Sequence, residues 1–108
     1  MRYLLLVCVD PSIEPDEAPG AIDTWLDRVG EARVIGDALR GPKTASTVRV
    51  RRSERIVTDG PFAETKELIA GFDVIDCDTL EEAIEIAAAH PVAKFGAIEV
   101  REFHPDAG

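Results

Sequence analysis

A hairpin pattern set between two strand–helix–strand patterns predicts an α+β domain of the split βαβ, ferredoxin-like kind: helices on one face of a sheet. Three observations carry that prediction. Tyr3 to Val9 is apolar at every position, as in a strand buried on both faces. Ile22, Trp25, Leu26 and Val29 fall at helical spacing, and so do Leu80, Ala83, Ile84 and Ala87. Between these helices Val48 and Val50 alternate with Thr47, Arg49 and Arg51, the period of a half-buried strand.

Along the chain, the Asp10-Pro11 to Pro19-Gly20 stretch is rich in proline and acid and reads as a loop. Pro19 suits a first helical turn, so helix 1 is expected over about 19 to 31 with Trp25 packed on the sheet. Arg33 to Leu39 reads as a short strand that runs into the loop Arg40-Gly41-Pro42-Lys43. Thr47 to Arg52 and Arg55 to Thr58 form a hairpin with Ser53-Glu54 as its turn, and residues 69 to 76 a longer strand. Thr79 with Glu82 three residues later fits a capping box for helix 2, which Pro91 closes near His90. Protonated His90 would gain from the dipole at that helix end. Gly96 admits a last strand, 97 to 103, and His104 to Gly108 form a polar, solvated end.

At 108 residues the chain is read as one domain over 1–104 with a short tail over 105–108. Its 45% hydrophobic and 31% charged residues suit a globular protein, and its net charge of −9 argues against nucleic acid as a partner. Arg49, Arg51, Arg52 and Arg55 form a local basic cluster, either the wet face of an edge strand or a seat for an anion or an acidic partner surface. Cys8 and Cys77 sit in apolar runs without metal-ligand spacing and are expected as free, buried thiols. The N-terminal apolar run is too short for a signal peptide or a membrane helix, so no membrane contact and a cytoplasmic location are expected. Helices cover only one face of the predicted sheet, and a first strand apolar on both faces calls for cover on the other. A second copy of the chain, making a homodimer, is the expected cover.

The segment Thr58 to Glu67 carries the densest polar chemistry. Gly60 and Pro61 force a turn, Asp59 can accept backbone N–H groups there, and Phe62 can pin the loop to the core. Glu64, Lys66 and Glu67 would then be presented from a fixed base, although exposed ion pairs of this kind are common and weak.

Asp59-Gly60-Pro61-Phe62-Ala63-Glu64-Thr65-Lys66-Glu67, followed by Gly71-Phe72, closely resembles the signature of YCII-related proteins of the DGPF type. Met1 to Leu6, Gly36 to Leu39, Thr47 to Val50, Glu81 to Ala83, His90-Pro91 and Ile98 to Arg101 resemble the family's flanking motifs, so the likeness spans about residues 1 to 104. The resemblance implies a ferredoxin-like fold that dimerises into an α/β-barrel-type assembly, in proteins that often occur beside extracytoplasmic-function sigma factors and whose activity is not established. In one branch of the family a His on the first helix and an Asp near its end are proposed as a catalytic pair. Here those positions fall at about Ala21 and Gly30, neither of which does acid–base chemistry.

No phosphate-binding glycine loop, metal cluster or nucleophile–base set is present, so no cofactor and no metal are expected. Two readings remain. One is a small accessory or regulatory module that binds a small molecule or a protein partner such as a sigma factor, through Asp59, Glu64, Lys66 and Arg101. The other is a cofactor-free enzyme in which Asp59 or His90 moves a proton and Lys66 assists as an electrophile.

Overall fold

The computed structural model describes residues 1–61 and 67–105. Strands β1 (Arg2–Val9), β2 (Arg33–Ala38), β5 (Leu68–Asp76) and β6 (Ala97–Glu102) form a four-stranded antiparallel sheet in the order β2-β5-β1-β6. Helices α1 (Ala21–Val29) and α2 (Leu80–Ala88) follow β1 and β5, so each half of the chain runs β-α-β with its return strand two places away, one strand of the other half lying between. This is the split βαβ order expected from the sequence. The remaining strands, β3 (Ser46–Arg51) and β4 (Glu54–Asp59), pair only with each other among the described residues. They form a hairpin inserted between β2 and β5. Across its base, Leu39 N–H donates to the Ala70 carbonyl at 2.8 Å and Gly60 N–H to the Ala45 carbonyl at 2.8 Å.

Several local expectations need correction. Helix α1 starts at Ala21, not at Pro19. Pro19 and Gly20 lie in a turn, and Gly20 takes φ 78°, a left-handed angle that ends any helical run from upstream. The helix closes at Val29 and Gly30–Ala32 continue as a 3-10 turn. The hairpin turn is Arg52-Ser53, both with positive φ (51° and 66°), because a two-residue connection of that hand matches the twist of the strands. On α2 the buried residues are Ala83 and Ala87; Leu80 and Ile84 are half exposed. The stripe is rotated because Ile86, not Ile84, packs against the core. The capping box is borne out on its first limb: Thr79 Oγ1 accepts from Glu82 N–H at 3.2 Å.

Cross-strand register assigns the sheet's two faces. On the helix side, Arg33, Ile75, Tyr3 and Glu102 lie in one row, and Gly36, Asp73, Leu5 and Val100 in the next. The core is Tyr3, Leu5, Trp25, Ile75, Ala83 and Ala87. Leu5 and Ile75 are fully buried, so truncating either to alanine should cost about 2–5 kcal/mol. On the opposite side, Ile35, Val74, Leu4 and Arg101 form one row, and Phe72, Leu6 and Glu99 lie in the next. In the single chain Leu4, Leu6 and Cys8 are only partly buried and Ile35 and Ile69 are more than half exposed. Among the described residues, the first strand is therefore fully buried on the helix face and only partly on the other. Both cysteines are free and half-buried, and burial is the main cause that raises each thiol above its usual range.

Candidate functional site

A cavity of about 360 Å³ opens at the end of the sheet where β1 stops, β2 ends and β5 begins. Helix α1 roofs it with Ile22, Trp25 and Leu26, and the segment after α2 closes it with His90 and Val92. Arg33 and Asp73 supply its charged floor, and the exposed carboxylate of Asp37 stands at its rim. Its size falls in the range of small-molecule sites, about 300–1,000 Å³.

Three of the cavity's polar groups, Arg33, Asp73 and His90, are fixed by packing and hydrogen bonds. Arg33 Nε lies 2.7 Å from Asp73 Oδ1, and Asp73 is 5% exposed. Gly36, opposite Asp73 in the register, makes room for the pair: a Cβ there would meet the Asp73 carboxylate and stand 2.6 Å from the Phe72 carbonyl and 2.7 Å from the Arg33 guanidinium. His90 is 4% exposed, and its Nδ1 accepts the Val92 backbone N–H at 3.0 Å. That bond leaves the neutral ring's proton on Nε2, a donor. Burial pushes the His90 pKa below the usual imidazole value, opposed by the carboxylates of Asp73 and Glu17. The helix-end expectation for protonated His90 is thereby corrected: burial opposes the charge, and the side chain caps the following 3-10 turn (Pro91–Lys94) instead. Trp25 stands edge-on to His90, with ring centroids 4.6 Å apart, and its Nε1–H donates to the Ile86 carbonyl at 2.9 Å.

Of the described site candidates named from the sequence, one lies at this cavity. His90 lines it. Arg101 lies on the opposite face of the sheet, largely exposed, with its guanidinium 2.9 Å from Glu99. Asp59 ends β4 on the inserted hairpin, exposed and opposite Ser46. Glu64, Lys66 and Phe62 lie outside the described residues. Arg33, Asp73 and Gly36 were missed as a set. One signal was available: Asp73 interrupts the apolar strand Ile69–Ile75, and a carboxylate in a buried strand needs a cationic partner. Among the described residues no group of three or more His, Cys, Asp or Glu could hold a metal, and no helix is long and apolar enough to cross a membrane.

The family model of the YCII-related domain matches residues 1–105. The chain belongs to the YCII-related family. A curated relative, an uncharacterised protein of Rhizobium meliloti (strain 1021), is 46% identical over 77 residues; that match spans 66% of this chain and 60% of the relative's length. Among solved structures, this YCII-related chain is similar to the 5-chloro-2-hydroxyhydroquinone dehydrochlorinase of Burkholderia phenoliruptrix, in its complex with 2,5-dihydroxybenzoquinone. That match has a TM-score of 0.50 at 13% identity and covers 96% of this chain and 94% of the other. At such identity the likeness is one of fold.

Proposed function

We propose that this YCII-related protein is a small-molecule-binding module whose site is the His90–Arg33–Asp73 cavity, and whose occupant has a planar apolar body and an oxygen acceptor. One observation carries the reading: His90 Nδ1 is engaged by Val92 N–H, so the ring nitrogen left for an occupant is the Nε2–H donor. A neutral imidazole donor beside a guanidinium suits a carbonyl or quinone oxygen, and Trp25, Ile22 and Leu26 suit the apolar body. The same bond counts against His90 as a general base, because taking up a proton would break its contact with Val92. In the acid–base reading the base would be the Asp73 carboxylate. The sigma-factor role that the family resemblance suggests draws no support from the described residues beyond family membership.

Homodimerisation belongs to the same proposal. Leu4, Leu6, Phe72, Ile35 and Ile69 leave apolar area on the open sheet face over its middle, around the already buried Val74. A second copy packed face to face would remove that area from water. Sedimentation of Leu6→Lys tests this part, with a monomer expected where the parent chain dimerises.

Binding is tested by NMR titration with 2,5-dihydroxybenzoquinone and with a panel of monocyclic hydroxy- and oxo-aromatics. The expected result is saturable shifts at the Trp25 indole and the His90 ring, weakened about tenfold in His90→Phe, as for a lost donor worth about 1.4 kcal/mol. Shifts confined to residues outside the cavity, or equal affinity in His90→Phe, overturn the reading.

A further inference from the structure

The inserted hairpin is exposed along its valine face and half-buried at Thr47 and Arg49 on the other, and two-stranded ribbons are marginal without further cover. One face carries Val48, Val50 and Val57, each more than half exposed, with Arg55 directly opposite Val50. Arg52 stands at the turn. From Ser46 to Asp59 there are four arginines against Glu54 and Asp59, a net +2, so the rest of a chain of net charge −9 carries −11. A basic, valine-faced arm therefore projects from an acidic body.

The chain holds a complementary surface elsewhere. Between α2 and the outer side of edge strand β6 runs an apolar groove of about 380 Å³, lined by Ile84, Ala88, Ala93, Ala97 and Ile98 among others. Leu80 and Ile84 beside it are half exposed, and Glu81 and Glu85, one helical turn apart, flank them. Apolar residues match apolar residues, and arginines match glutamates. Among the described residues the hairpin does not fill the groove of its own chain: β3 and β4 pair with each other and the groove's lining contains neither.

We infer that the β3–β4 hairpin is a clasp that docks into the α2–β6 groove of a second copy of this chain, reciprocally in a dimer. Six residues at about 3.4 Å each give the arm about 20 Å of reach, against about 14 Å across the three strand spacings of the sheet. Electrostatic match sets partner and register, and the valines contribute the buried area. The inference rests on the homodimer reading and adds a second contact, away from the open sheet face.

The test uses the full chain in sedimentation equilibrium, with charge reversal on each side of the contact. Arg52→Asp with Arg55→Glu, and separately Glu81→Lys with Glu85→Lys, are each expected to weaken self-association roughly tenfold or more, every tenfold being about 1.4 kcal/mol. Mixing the two reversed chains restores opposite charges at both contacts and is expected to recover association to near the parent value. All these positions are exposed, and circular dichroism checks that the fold is kept. Reversals without effect, or a mixture no tighter than either chain alone, overturn the clasp. If Leu6→Lys still dissociates the dimer in that case, the sheet-face reading survives and only the clasp falls. A parent chain that stays monomeric at all concentrations overturns both.

Discussion

Trp25 ties the two helices together while it walls the cavity: its indole N–H reaches the Ile86 carbonyl in the last turn of α2, and its ring edge meets His90 just beyond that helix. The carbonyl it satisfies is one of those a helix end leaves without an intrahelical donor, since His90 N–H bonds the Ala87 carbonyl instead. One side chain thus caps α2, packs the core and shapes the site.

Replacing the indole should separate these roles. Trp25→Phe keeps a ring in the core but loses the donor, and a stability loss of about 1–2 kcal/mol is expected in urea denaturation. A slope with denaturant equal to the parent's would locate the loss in the native contact and not in the compactness of either state.

The pocket floor depends on Gly36. Gly36→Ala drives a methyl into the Arg33–Asp73 pair and the Phe72 carbonyl, and backbone cannot retreat as a flexible side chain can. A destabilisation of about 1–3 kcal/mol is expected, with weaker ligand binding in the same variant. Thermal unfolding followed beside the binding titration reads both.

Acid should weaken the protein through His90. Its folded pKa lies below the unfolded value of about 6.5, so the unfolded chain takes up the proton first. The stability this group contributes is complete above pH about 6.5 and is lost as pH falls from there toward the depressed folded value. Asparagine at this position keeps an oxygen to accept Val92 N–H and does not titrate. His90→Asn is therefore expected to show a flatter stability profile over that window, measured by urea denaturation at a series of pH values.

The N-terminus of α2 offers a local check. Thr79→Ala removes the acceptor for Glu82 N–H, and a loss of about 1 kcal/mol is expected, most of it recovered in Thr79→Ser.

The fold was legible in the residues and the candidate site was not, and the reason is physical. Element types follow from local periodicity, which Val48 and Val50 or Trp25 and Val29 display within a few positions. The cavity is made by contacts distant in sequence: Arg33 meets Asp73 forty residues on, and Trp25 meets His90 sixty-five positions away. Nothing in local spacing encodes those meetings. Helix phase was half right on α2: Ala83 and Ala87 are buried as the spacing expects, but Ile86 takes the place of Leu80 and Ile84 against the core. His90 was singled out through its place before a proline, and its chemistry changed with burial. Arg101 lay on the expected strand but on the far face, where alternation alone assigns no preference.

The Leu39–Ala70 hydrogen bond at the foot of the hairpin has a consequence for how this chain can vary. It fastens the end of β2 to β5 before the inserted strands depart, so the alignment of the four-stranded sheet is set without them. Insertions, deletions or grafted sequences between residues 42 and 60 should leave the scaffold folded while changing what the arm reaches.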